Sequence, residues 1–174
     1  MANLFLVSDH SLGPDLDLSN GGTDVFLDVM TLASCPLANT PWRQNLALMF
    51  ADGQRDNRGF AGFALDELPW TEDALEEHQF LLAVIDKALT RHGWNLLSYD
   101  PPYAQDYLET YRTMLQSFTP LPTASGGLGP RRFFGSWRMS PDADLMRRCP
   151  KHDIFQGRWG CRLCDPKLLC EPIR

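Results

Sequence analysis

Near its C-terminal end the chain reads Cys149-Pro-Lys-His152, then eight residues, then Cys161-Arg-Leu-Cys164. Two ligand pairs, each spanning a two-residue gap, have the spacing of a tetrahedral metal site. Each short loop lets two side chains reach one ion, and the intervening segment carries the second pair round to the far side. Pro150 stiffens the first pair and Gly160 frees the backbone at the start of the second. This motif constrains the fold of the last quarter of the chain more than any other feature of it.

The ligand chemistry points to zinc. Thiolates are soft and imidazole borderline, so Cys149, His152, Cys161 and Cys164 suit Zn2+ ahead of magnesium or calcium. Four protein ligands leave no open position, which predicts one structural zinc per chain. Cys170, six residues past Cys164, is the alternative to His152 as fourth ligand. Asp153 to Gly160 alternates apolar residues around Gln156-Gly157, which predicts a small hairpin returning the second pair to the first. Knuckle, hairpin, knuckle resembles the general zinc-knuckle or zinc-ribbon plan. That resemblance covers about sixteen residues and implies a scaffold, not a function.

Charge divides the chain. Residues 1–130 carry six Lys/Arg against seventeen Asp/Glu, a net of −11, whereas residues 131–174 carry ten against five, a net of +5. Opposite fields attract over about a Debye length of ~10 Å, so the basic segment is expected to fold back on the acidic one. Between them, residues 119–130 hold three prolines and three glycines, the composition of a linker. The expected organisation is an acidic body over 1–118, a linker over 119–130 and a basic zinc-binding lobe over 131–174, docked on the body.

Within the body, Leu4–Val7 predicts a first strand and Asp24–Ala33 a helix capped by Thr23. Asn45–Ala51 and Phe60–Leu65 flank the turn-rich Asp52–Gly59, which predicts a long-looped hairpin. Thr71–His92 is the clearest helix. Leu75, His78, Leu82, Ile85 and Leu89 recur at spacings of three and four, and acidic residues fill the first turns, where the helix dipole favours them. Trp94–Tyr99 predicts a strand, and Tyr103–Phe118 a further amphipathic helix. The elements do not alternate regularly, so the expected class is α+β: a small mixed sheet with two or three amphipathic helices, plus the zinc lobe.

Met1–His10 has no basic region and only a four-residue apolar run, which argues against a secretory leader. The longest apolar run, Phe80–Ile85, is far short of the ~20 residues of a membrane span. Three of five cysteines lie in the metal motif, which suits a reducing compartment; a cytoplasmic location is expected.

No catalytic constellation is visible. The chain lacks a Walker loop, a Gly-x-Ser-x-Gly elbow and a His-Glu-x-x-His helix. Asp9, His10, Asp15, Asp17, Asp24 and Asp28 can be drawn as a carboxylate–histidine centre, but a solvated acidic loop explains them as well. Arg131, Arg132, Arg138, Arg147, Arg148, Lys151, Arg158 and Arg162 interleave with Phe133, Phe134, Trp137, Phe155 and Trp159, a recipe for nucleic-acid binding. The same aromatics are also what a small metal lobe needs for its own core. The leading expectation is a zinc-binding adaptor, regulatory or inhibitor protein that acts on another protein. A small enzyme with a pocket between body and lobe, and a nucleic-acid accessory protein, are the alternatives.

Overall fold

A computed structural model of the protein describes residues 3–8, 14–55, 61–123 and 136–164. Four α-helices dominate these residues, beside one two-stranded sheet. The class is α+β, with much less strand than the sequence suggested.

The strands β1 (Asn3–Phe5) and β2 (Leu16–Leu18) pair antiparallel, Asn3 opposite Leu18. Their alternation turns Phe5, Leu16 and Leu18 inward. The segment before Leu65 does not form a strand of the expected hairpin. It lies parallel to the end of β1 instead: the Leu6 N–H donates to the Phe63 carbonyl at 3.1 Å, and the Leu65 N–H to the Leu6 carbonyl at 2.9 Å. Gly62 permits that approach, because a Cβ there would stand 2.6 Å from the Leu4 carbonyl carbon.

The first helix, α1 (Asn20–Ser34), starts earlier than Thr23. Ser19 is its cap, the hydroxyl accepting from the Gly22 N–H at 3.1 Å. From Gly22 onward every residue of α1 is buried, because the other three helices pack around it. Asp24 is therefore an interior residue and not an exposed partner of the helix dipole.

The second helix, α2 (Pro41–Asp52), replaces the strand expected at 45–51. Thr40 is extended and Pro41 occupies the first helical position, where its fixed φ suits the helix and its missing N–H costs nothing. Trp42, Leu46, Ala47, Phe50 and Ala51 then fall on one face and are buried.

The third helix, α3 (Ala74–Leu89), is shorter than the expected Thr71–His92, and Leu75 faces solvent. Its entry is held by the buried Glu77, whose carboxylate accepts the N–H and the hydroxyl of Thr71. Trp94–Tyr99 is not a strand: Gly93 takes a left-handed conformation (φ 74°) and Trp94–Leu96 forms a single 3-10 turn. The last helix, α4 (Ala104–Ser117), lies where it was expected. His78 bridges α3 to α4, its Nε2 2.8 Å from the Leu115 carbonyl.

Aromatic edges fill the core. Phe5, Phe26, Phe63 and Tyr111 meet at ring separations of 5.2–5.9 Å. Trp42 stacks on Trp70 and meets Trp137 edge-on at 5.4 Å. Trp137 thereby anchors the start of the C-terminal segment in the body core. The described part of the 119–130 stretch is also tied down, since Thr123 donates its N–H and hydroxyl to the Trp70 carbonyl. Residues 124–130 lie outside the described residues, as do Phe133, Phe134 and Cys170.

Candidate metal centre

The chain around Cys149 folds as a tight turn. Arg148 pairs antiparallel with Phe155, the Cys149 N–H donates to the Ile154 carbonyl at 2.9 Å, and the Asp153 N–H to the Cys149 carbonyl at 2.8 Å. Asp153 adopts a left-handed φ of 52° to close it. The hairpin therefore surrounds the first ligand pair. It does not lie between the two pairs, as the Gln156-Gly157 dipeptide suggested, because the turn chemistry resides in the knuckle itself.

The second pair closes differently. Arg162–Cys164 is a 3-10 turn, with the Cys164 N–H donating to the Cys161 carbonyl at 3.1 Å. In both knuckles the first cysteine sulfur receives the backbone N–H groups two and three residues on: Lys151 and His152 at Cys149, Leu163 and Cys164 at Cys161. Such N–H groups favour a thiolate.

The four side chains converge. Their ligand atoms all lie within 4.8 Å of one another, and together they could hold one metal ion. His152 presents Nδ1, at 3.6 Å from Cys149 Sγ, 3.3 Å from Cys161 Sγ and 3.4 Å from Cys164 Sγ. Cys149 Sγ and Cys164 Sγ stand 3.7 Å apart, far beyond the ~2.05 Å of a disulfide. Cys149, His152 and Cys161 are buried; Cys164 is exposed. Burial pushes the Cys161 thiol up to about 12 and draws the His152 imidazole below its usual range. Burial also opposes ionisation of Cys149, but the N–H groups of Lys151 and His152, together with hydrogen bonds from Cys161 and Cys164, outweigh it and hold that thiol below the ordinary range. A cation among them would favour all three thiolates at once.

The knuckles sit against α1 and α2. Cys149, Ile154, Phe155 and Cys161 share one apolar cluster with Leu32, Cys35, Ala47 and Leu48. Cys35 accepts the Phe155 N–H on its sulfur at 3.4 Å and the Arg148 guanidinium on its carbonyl at 2.9 Å. Burial raises its thiol to about 11, which leaves it unionised at neutral pH. Asp52, at the end of α2, accepts the Arg158 N–H at 3.0 Å and 3.2 Å. Arg55 donates to the carbonyls of Trp159 and Gly160. Arg162 enters the body completely, with no exposed side-chain surface.

Comparison with family models, curated proteins and solved structures finds no match. The reading of the site accordingly rests on its own geometry.

That geometry separates the other sequence candidates. Asp24 and Asp28 are together, one turn apart on α1, but their partner is Arg162 and not a histidine. Asp9 and His10 lie outside the described residues. The basic residues are mostly engaged: Arg138 pairs with Glu72, Arg147 with Asp144, Arg148 with Asp153, and Arg162 is buried. Arg131 and Arg132 lie outside the described residues. Of the aromatics, Trp137 and Phe155 are buried and Trp159 is half exposed. The fold offers a cleft between the starts of α2 and α3, lined by Thr40, Trp42, Glu72, Glu76, Trp137 and Arg138. None of the four metal-ligand candidates lines it. No described helix is long and apolar enough to cross a membrane.

The buried role of Asp24, Asp28 and Arg162 was missed in the sequence. Two aspartates four apart inside an otherwise apolar helix were the available signal, since buried carboxylates need a partner.

Proposed function

We propose that Cys149, His152, Cys161 and Cys164 hold one structural Zn2+, and that the protein acts by docking on another protein through its acidic helical body. The observation that carries the metal assignment is the set of ligand-atom separations. A tetrahedral zinc with bonds of about 2.3 Å to sulfur and 2.0–2.1 Å to nitrogen has edges of about 3.8 Å for S···S and about 3.6 Å for S···N. Of the six separations, the four at 3.7 Å and 3.3–3.6 Å lie within a few tenths of an ångström of those edges, and all six are within 4.8 Å. Four protein ligands complete the shell and leave no position for an activated water, which is the design of a structural site.

In this reading residues 131–174 form a lobe on a body spanning 1–118, with the intervening segment as connector. The zinc adds folding energy that so small a lobe cannot draw from its own core alone. The partner is a protein with a basic face. Among the lobe's described arginines, Arg138, Arg147, Arg148 and Arg162 have acidic partners, while the acidic side chains of the body, Asp17, Asp73, Glu76, Asp100 and Asp106 among them, stand at the surface. Such a field steers a cationic surface and repels phosphate backbones.

Metal analysis of protein never exposed to added metal should find one zinc per chain, and Cys161→Ser with Cys164→Ser should abolish it. Full zinc content in that variant, or a water in the inner sphere, overturns the structural-zinc assignment. For docking, an isolated complex should weaken with salt and with charge reversal at Glu76 or Asp106. Salt-dependent retention of RNA or DNA with indifference to those reversals would overturn the docking assignment in favour of nucleic acid.

A further inference from the structure

Arg162 lies between the two ligands of the second knuckle, yet its guanidinium belongs to the body. Its Nε donates to Asp28 Oδ1 and its Nη2 to Asp24 Oδ1 at 3.3 Å. Its Nη1 faces the last carbonyls of α2: Gly53 at 2.9 Å, Phe50 at 3.1 Å and Ala51 at 3.4 Å. They cluster at the C-terminal end of α2 and its cap residue Gly53, at the negative pole of the helix dipole, and the Phe50 carbonyl also accepts the Gly53 N–H at 3.3 Å. The carboxylates are themselves set in place. Asp28 Oδ2 accepts the Tyr99 hydroxyl at 2.6 Å, and Asp24 Oδ1 the Gln54 amide at 3.1 Å. Gln54 is in turn held by Asn3 and by the Asn20 carbonyl. Side-chain exposure is 0 % for Arg162, 4 % for Asp24 and 8 % for Asp28.

We infer that Asp24, Asp28 and the C-terminal carbonyls of α2 form a guanidinium receptor, filled from the same chain by Arg162 and closed by the metal. Ligation of Cys161 and Cys164 fixes the turn that aims Arg162 into the receptor. By thermodynamic reciprocity, filling the receptor tightens the metal. The receptor suits a guanidinium because its acceptors, spread over two helices, meet all three of its nitrogens; a point ammonium reaches only part of them. Loss of the metal frees the knuckle, withdraws Arg162 and leaves two carboxylates and a helix end open to another guanidinium. This inference rests on the metal assignment above.

The test is Zn2+ affinity by chelator competition in the full chain, with the Co2+ absorption spectrum as a check that the ligand set is intact. Asp28→Asn, which keeps size and loses charge, and Arg162→Ala should each lose about tenfold or more in affinity while keeping the thiolate–Co2+ spectrum, the usual range of coupling being roughly 5- to 150-fold. Arg162→Lys should not restore it. Millimolar methylguanidinium should recover affinity in Arg162→Ala, and methylammonium at the same concentration should not. Variants within twofold of the wild type, or equal rescue by both cations, would overturn the receptor. A wild-type chain that binds no Zn2+ would overturn the metal assignment itself, which makes the two failures distinguishable.

Discussion

Gly157 and Gly160 allow the contact between the knuckles and α2 to be weighed. Both have positive φ, 62° and 84°, so alanine at either site meets the left-handed penalty of roughly 1–2 kcal/mol. Their surroundings differ. A Cβ at Gly160 meets nothing within 4 Å, whereas at Gly157 it would stand 2.8 Å from Asp52 Cγ and 3.0 Å from Oδ2. Gly157→Ala therefore displaces the Asp52 carboxylate and breaks its hydrogen bonds to the Arg158 N–H. A hydrogen bond to a charged group contributes about 1.5–3 kcal/mol, and the exposure of this one puts it at the lower end. Gly160→Ala should then cost about 1–2 kcal/mol and Gly157→Ala about 2.5–4 kcal/mol. Urea unfolding of metal-loaded protein, followed by Trp fluorescence, reads the difference. In an Asp52→Ala background the excess at Gly157 should vanish, because the displaced group is gone. Equal costs at the two glycines, or an excess that persists without Asp52, would refute the claim that this carboxylate holds the segment to α2.

Chelation should loosen residues 145–164 to protease and hydrogen exchange while far-UV dichroism keeps the signal of α1 to α4, because the main core around Phe26, Trp70 and Tyr111 contains none of the ligands; simultaneous loss of both would make the metal a requirement of the whole fold. Metal affinity should rise as pH rises through the mildly acidic and neutral range, since loading displaces protons from Cys161, which burial holds at about 12, and from its fellow ligands; a pH-independent affinity would exclude thiolate ligation. Trp137→Ala should cost roughly 3–5 kcal/mol, the usual loss for a buried tryptophan, measured by thermal unfolding, and a change under 1 kcal/mol would place that ring outside the core. Burial raises the Glu77 carboxyl above its unfolded value. It therefore contributes stability that is complete below the unfolded value and is lost as pH rises through the folded one, so the stability–pH slope in that window should flatten in Glu77→Gln.

The parts of this molecule that could be read in advance are those set by short spacings. Cys-x-x-His and Cys-x-x-Cys bring their ligand atoms together because each knuckle is a single turn whose own N–H groups turn toward the first sulfur. The helical period of α3 was legible in the same way but its face was not: of Leu75, His78, Leu82, Ile85 and Leu89 only Ile85 is fully buried, and the buried face runs through Phe80, Leu81, Val84, Ile85 and Ala88. Residues 45–51 misled because a short apolar run suits strand and helix alike; Thr40-Pro41, an extended residue followed by a first-turn proline, held the deciding signal five residues upstream. Trp94–Tyr99 misled because its aromatics favour strand, whereas Gly93 had already turned the chain. The pairing of Arg162 with Asp24 and Asp28 spans more than 130 residues. No local pattern encodes it; only the presence of charges on a helix buried all round hinted that a partner was needed.

Of the four ligand candidates only Cys164 meets solvent. Under the zinc assignment, that asymmetry gives the site a preferred door. A competing thiol or chelator reaches the ion from the Cys164 side, so the first bond to exchange is that one, while Cys149, His152 and Cys161 still hold. The residence time of the metal is then set by one exposed sulfur, and its binding strength by all four ligands, so substitution at Cys164 should alter the rate of metal transfer out of proportion to its effect on equilibrium.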